Sequence, residues 1–126
     1  MIAGLDHLVL TVASIERSCA FYVDVLGMRR VDDDDRPTAL VFGTQKINLH
    51  QRDRTFDPKA AHPTEGAGDF CLIASAPLAI VQARLEASGV EIELGPTPRT
   101  GAGGPMTSLY VRDPDQNLVE ISAYPA

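Results

Sequence analysis

The side chains of this 126-residue sequence best suited to chemistry are His7, His50, Asp69, Arg99 and Glu120. His7 stands in Asp6-His-Leu-Val-Leu-Thr-Val12, and His50 closes Lys46-Ile-Asn-Leu-His50. Asp69 opens Asp69-Phe-Cys-Leu-Ile-Ala74, and Glu120 ends Asp113-Pro-Asp-Gln-Asn-Leu-Val-Glu120. These runs are otherwise largely aliphatic, and a polar or ionisable group set among apolar ones requires a partner. Imidazole and carboxylate together are donors for divalent iron, manganese, nickel, cobalt or zinc. Such an ion works as a Lewis acid on substrate oxygens. Arg99 lies in Gly95-Pro-Thr-Pro-Arg-Thr-Gly-Ala-Gly-Gly-Pro105, which reads as a loop on its glycine and proline content. Its guanidinium suits a carboxylate, phosphate or phosphonate, and a mobile surface loop is the plain alternative.

The elements that carry these residues follow from periodicity. Residues 5–12 are rich in aliphatic and β-branched side chains and predict a strand. Ser14 is a good N-cap, and Ala20, Phe21, Val25 and Leu26 recur at helical spacing, which predicts a helix over 15–26. Gly27 is placed to end it in the left-handed conformation. Strands are expected at about 28–32, 38–43 and 45–51, with Gly43-Thr44 as a hairpin turn. The second half repeats the pattern: a strand at 69–74, a helix beginning near Pro77 and ending at Gly89, and strands at about 90–94, 106–111 and 117–123. His7 and Asp69 are 62 residues apart, as are Gly27 and Gly89. The reading is a single α+β domain, residues 1–126, of two tandem βαβββ units: about 1–51, a linker at about 52–66, and about 67–126.

Side chains alternate across a strand, so parity assigns faces. Leu8, Leu10 and Val12, Ile47 and Leu49, Phe70, Leu72 and Ala74, and Val119 and Ile121 form apolar faces suited to packing on helices. His7, Asn48 and His50, Asp69 and Cys71, and Glu120 fall on the opposite faces. A curled sheet turns that second face into a cup, and imidazoles and carboxylates converging in it form a metal site. A sheet with one wet face would also put polar residues there, which leaves structural roles open for His7, Asp69 and Glu120.

Composition narrows the functional class. A net charge of −6 argues against a nucleic-acid partner. No apolar run reaches the roughly 20 residues of a membrane span. The N-terminus lacks the basic region and apolar stretch of a secretory leader. Cys19 and Cys71 read as small buried hydrophobes, and a reduced, cytoplasmic protein is expected. Asp32 to Asp35 read as a solvated turn, and His62 as an exposed linker residue.

The strings Phe21-Tyr-Val-Asp-Val-Leu-Gly-Met28 and Arg112-Asp-Pro-Asp-Gln-Asn-Leu-Val-Glu120, with Asp6-His7 and Lys46-Ile-Asn-Leu-His50, resemble the vicinal oxygen chelate superfamily. It is also called the glyoxalase/bleomycin resistance/extradiol dioxygenase superfamily. The resemblance covers nearly the whole chain. It implies an open, eight-stranded, barrel-like cup holding one divalent metal, with His7 and Glu120 matching ligands of the first and last strands. At the other two ligand positions of the glyoxalase I pattern, glutamate is replaced by Asn48 and histidine by Asp69. His50, two residues after Asn48 and on the same face, is then expected to stand in as the third ligand, with Asp69 as a supporting group or fourth ligand, and Arg99 is the expected substrate-binding residue on the reading of its loop. The implied activity is metal-dependent lyase, isomerase or dioxygenase chemistry on a small oxygenated substrate chelated through two oxygens. The implied assembly is a homodimer. The alternative is a metal-free protein that sequesters a small molecule, as bleomycin-resistance members do.

Overall fold

The helix after β1 (His7–Val12) begins just past Ser14, which is still extended at φ −146° and ψ 120° and whose hydroxyl accepts the Arg17 backbone N–H at 3.2 Å. This satisfies one of the free N–H groups of the first turn. Helix α1 (Ile15–Cys19) continues directly into a π-helical segment, Ala20–Val25. The helix expected over 15–26 is thus present with its second half widened. Phe21 and Tyr22 are both buried there and meet edge to face at 4.9 Å. Gly27 closes the helix in the left-handed conformation at φ +82°, its N–H bonded to the Val23 carbonyl at 3.0 Å, and the Met28 N–H reaches back to the Tyr22 carbonyl at 2.9 Å.

The computed structural model describes all residues, Met1–Ala126, and divides them into two units, Met1–Ala67 and Gly68–Ala126. In the first unit, β2 (Arg29–Asp33), β3 (Arg36–Phe42) and β4 (Gln45–Gln51) join β1 in a sheet ordered β1-β4-β3-β2. Strands β1 and β4 are parallel and the other pairs antiparallel. Phe42 pairs with Gln45 across the Gly43-Thr44 turn, with Gly43 at φ +52°. Leu10, Val12, Leu40, Ile47 and Leu49 are buried, as are Cys19, Phe21 and Tyr22 of the helical segment. Residues 52–66, expected as a linker, belong to this unit: Phe56 lies against the His50 ring at 5.5 Å, and Arg52 pairs with Glu65 at 2.8 Å.

The second unit repeats the plan. β5 (Asp69–Ile73) leads to α2 (Leu78–Ala87), then to β6 (Leu94–Gly101), β7 (Gly104–Arg112) and β8 (Leu118–Ala123). The sheet order is β5-β8-β7-β6, with β5 and β8 parallel. Leu109, Val111, Val119 and Ile121 are buried, with Leu85 of α2. Each such side chain contributes about 1.5–3 kcal/mol on burial.

The expected loop at 95–105 is corrected. Most of it is the hairpin of β6 and β7, with Arg99 in β6 opposite Met106. Proline is compatible here because β6 is an edge strand, where an imide nitrogen without a proton leaves no ladder bond unmade. The strand predicted at 90–94 therefore begins only at Leu94. The register slips between Leu94 and Thr97, where Gly95 has φ +111° and a Cβ would collide with the Ser108 carbonyl oxygen. No helix is long and apolar enough to cross a membrane.

Candidate functional site

Glu120 is positioned by the turn that precedes it. Asp113 is buried, and its Oδ1 accepts the backbone N–H groups of Asp115 and Asn117, each at 2.9 Å. Its Oδ2 accepts the Asn117 side-chain amide at 2.8 Å. Asn117 Oδ1 in turn accepts the Gly68 N–H at 2.7 Å, just ahead of β5. The Asp113-Pro-Asp-Gln-Asn117 string therefore does structural work. It pins the start of β8 to the start of β5 and sets the level at which Glu120 leaves the sheet.

The half-buried Glu120 lies opposite Cys71 on one side and Tyr110 on the other. Ser108 donates to Glu120 Oε2 at 2.7 Å and lies 2.6 Å from the Ser122 hydroxyl, which is 3.1 Å from the Cys71 thiol. Proton counting gives these bonds a direction. A hydroxyl has one proton and a carboxylate accepts. The Ser108 proton goes to Glu120, so Ser122 donates to Ser108, and the thiol donates to Ser122. The longer Ser122–Glu120 approach, 3.3 Å, is the weaker alternative for the Ser122 proton. Partial shielding of its sulfur from water, more than any other influence, pushes the Cys71 thiol up, although the residue as a whole is exposed. The result is a one-way donor chain ending on Oε2, while Glu120 Oε1 has no protein partner. Cys71 is exposed and Cys19 buried, which corrects the expectation that both are interior hydrophobes.

Arg99 shares this face. Its Nε donates to the Tyr110 hydroxyl at 2.8 Å, and its Nη1 to the Pro98 carbonyl at 2.9 Å and the Thr97 hydroxyl at 3.4 Å. The guanidinium carbon is 5.3 Å from the Tyr110 ring centroid.

The first unit carries a comparable face. His7 is exposed, and its Nδ1 lies 2.8 Å from Asp6 Oδ2. Since a carboxylate accepts, Nδ1 carries the proton, and in the neutral ring Nε2 keeps its lone pair. In the β1–β4 register His7 lies opposite Lys46, Val9 opposite Asn48 and Thr11 opposite His50. The β5–β8 register has Asp69 opposite Leu118 and Cys71 opposite Glu120. Asn48 thus holds in the first unit the level that Glu120 holds in the second.

His50 shares a face with His7 and sits four residues beyond His7's partner, about 13 Å along the strand at roughly 3.3 Å per residue. It is buried against Phe56, and burial pushes its pKa down. Neither His50 Nδ1 nor Asn48 Oδ1 finds a hydrogen-bond partner although both are buried. Asp69 is exposed, and its charge adds to the upward shift of Arg112, which the Glu93 hydrogen bond dominates. No three His, Cys, Asp or Glu side chains gather around one point suited to a metal ion.

Residues 4–121 match the family model described as the Glyoxalase/Bleomycin resistance protein/Dioxygenase superfamily. The chain belongs to this superfamily. It is 48% identical over 124 residues to the virulence protein STM3117 of Salmonella typhimurium, covering 98% of this chain and 86% of that one. The crystal structure of that protein superposes with a TM-score of 0.96 over 99% of both chains. The glyoxalase domain-containing protein RDO1 of Mycosarcoma maydis is 45% identical over 123 residues, covering 98% of this chain and 69% of that protein. Lactoylglutathione lyase from Agrobacterium tumefaciens, at 24% identity and a TM-score of 0.73 over 98% of this chain and 95% of that one, shares the fold.

Sequence reasoning missed Ser108, Ser122 and Tyr110 in this superfamily chain. Their signal was the same parity that placed Glu120: Ser108-x-Tyr110 on β7 and Glu120-x-Ser122 on β8 fall on one face once the pairing is known.

Proposed function

We propose that the chain is a metal-dependent enzyme of the glyoxalase superfamily that uses a divalent ion, with His7 Nε2 and Glu120 Oε1 as metal-binding atoms. The observation that carries this reading is the Asp6–His7 pair. Metal-binding imidazoles commonly donate the second ring N–H to a carboxylate, which fixes the tautomer and raises the basicity of the ligating nitrogen. Glu120 supports it from the second unit, with Oε2 occupied by the serine chain and Oε1 free. His50 stays outside this ligand set because of its register, and Asp69 is a supporting group. When bound, the ion would polarise two adjacent substrate oxygens and stabilise an enolate or oxyanion. Asn48 offers no carboxylate at the level equivalent to Glu120, so proton abstraction within the ligand set falls to Glu120. This favours lyase or isomerase chemistry. Iron, manganese, nickel, cobalt and zinc all suit these donors. A cytoplasmic homodimer acting on a small molecule completes the reading.

Metal analysis and calorimetric titration with these ions test it on the wild type and on His7→Ala, Glu120→Ala and His50→Ala. The expected result is stoichiometric uptake by wild type and by His50→Ala, and weakening of about 10-fold or more in the other two. Equal uptake by His7→Ala and wild type would sink the ligand assignment.

A second reading, a metal-free small-molecule binder, is favoured by exposed apolar side chains on the same faces: Val9 beside His7, Ile73 beyond Cys71, and Leu94 opposite Tyr110. It expects saturable binding of an apolar ligand to chelator-treated protein, unchanged by His7→Ala.

A further inference from the structure

The geometry points to an anion-binding subsite made by Arg99 and Tyr110, and hence to a substrate carrying a carboxylate or phosphonate group. The inference deepens the proposed function by naming a substrate class. It rests on that reading only for where the reacting oxygens lie.

Several arginines of this chain meet a carboxylate: Arg30 with Glu16 and Asp32, Arg36 with Asp33, Arg52 with Glu65, and Arg112 with Glu93. Arg99 is instead held by neutral acceptors, the Tyr110 hydroxyl, the Pro98 carbonyl and the Thr97 hydroxyl. These contacts take Nε and Nη1 and leave the positive charge uncompensated, with Nη2 free of protein partners. The Tyr110 ring, 5.3 Å from the guanidinium carbon, adds a further constraint on the group.

The direction of the Arg99–Tyr110 bond supplies the second donor. Arginine cannot accept, so the tyrosine oxygen accepts the Nε proton and its own O–H remains unclaimed. An arginine N–H and a phenolic O–H, both unspent, are thus fixed side by side. That pair suits two oxygens of one anionic group, whose charge would also neutralise Arg99.

The placement orders the substrate. Tyr110 lies directly opposite Glu120 on β8, and the Arg99 side chain reaches Tyr110 from β6 on the other side of β7, from a backbone position opposite Met106. A molecule with its reacting oxygens at Glu120 and an acidic group at Arg99 fits this order. The acidic group lies on the β6 side of Tyr110, away from the Glu120 carboxylate that would repel it.

The test uses chelator-treated protein, so that its outcome is independent of any metal. Inorganic phosphate, methylphosphonate and acetate are titrated at constant ionic strength while the Arg99 Nε–H resonance is followed by NMR. The arms distinguish a phosphonate-type from a carboxylate ligand. Saturable shifts are expected with at least one probe. Arg99→Gln should weaken that binding about 10-fold or more, and Tyr110→Phe about threefold to 10-fold by removing only the hydroxyl. Because Arg99→Gln loses this resonance, backbone amide shifts of β6 and β7 report on the variants, and thermal melts confirm that they fold. Arg29→Gln, an exposed arginine of β2, should bind as wild type does. Equal affinity in wild type and Arg99→Gln, or no saturation in wild type with any probe, would overturn the subsite. Neither result bears on the metal ligands.

Discussion

Replacing Asp113 with alanine removes the acceptor on which the Glu120 turn depends. The hydrogen bonds lost include those from the Asp115 N–H, the Asn117 N–H and the Asn117 amide, at 2.9, 2.9 and 2.8 Å. Asn117 is 1% exposed, so its two donors have no water to turn to. A hydrogen bond to a charged group contributes roughly 1.5–3 kcal/mol, and a buried donor left unpaired costs roughly 1–3 kcal/mol. These contributions overlap, and relaxation of the turn recovers part of them, so the expected loss is about 3–5 kcal/mol. That is a large part of the roughly 5–15 kcal/mol that holds a domain folded. Asp113→Asn is the sharper comparison. It keeps an acceptor for the two backbone N–H groups but sets an amide against the Asn117 amide, which cannot flip while its oxygen holds the Gly68 N–H. Its expected loss is about 1–2 kcal/mol. Urea unfolding followed by circular dichroism reads both, with an unchanged m-value as the sign that only the native turn was altered. If Asp113→Ala unfolds within 1 kcal/mol of wild type, or both variants lose the same amount, the turn does not hold β8 as described.

Two further outcomes follow from buried polar groups. Burial holds the His50 pKa below its ordinary value of 6.5, so the folded chain binds fewer protons at this site than the unfolded one. His50 should therefore lower stability as pH falls below about 6.5, and melting temperatures from pH 8 to pH 5 should decline less in His50→Gln. An unchanged slope would show that the imidazole is not held neutral by burial. Ser108→Ala and Glu120→Ala should couple by about 1–2 kcal/mol in a double-mutant cycle of chemical unfolding, because each removes the same hydrogen bond. Additive losses would mean that Ser108 does not orient the carboxylate.

Much of this architecture was legible because a two-residue period and a left-handed glycine leave clear marks. Gly27 and Gly89, both with positive φ, sit where the helix patterns stop, and parity put Leu10 and Ile121 inward and His7 and Glu120 on the other faces. Parity gives the face of a residue but not its level along the sheet. That depends on strand register, which hydrogen bonding between distant segments sets. His50 shows the difference: two residues from Asn48 in sequence, it lies one full repeat further along β4 from the level of His7. β6 was hidden by composition, since proline breaks a central strand but is admitted at an edge. The bulge at Gly95 then shifts the alternation, so the facing of Arg99 could not be counted from Leu94. Serines carry little signal alone; Ser108 and Ser122 became meaningful only when pairing set them 2.6 Å apart.

The two prolines of β6 also bear on what this chain does at high concentration. Pro96 and Pro98 remove N–H donors from a sheet edge, and the acidic run Asp32 to Asp35 covers the end of the outer strand β2 of the other sheet and the turn after it. Each unit thus has one border that discourages a stray strand from adding to it. The opposite borders are β1 and β5. Both are rich in aliphatic residues, contain no proline, and expose Val9 and Ile73. Misassembly from partly unfolded chains should begin on β1 and β5, and a lysine at Val9 or Ile73 is the substitution best placed to suppress it.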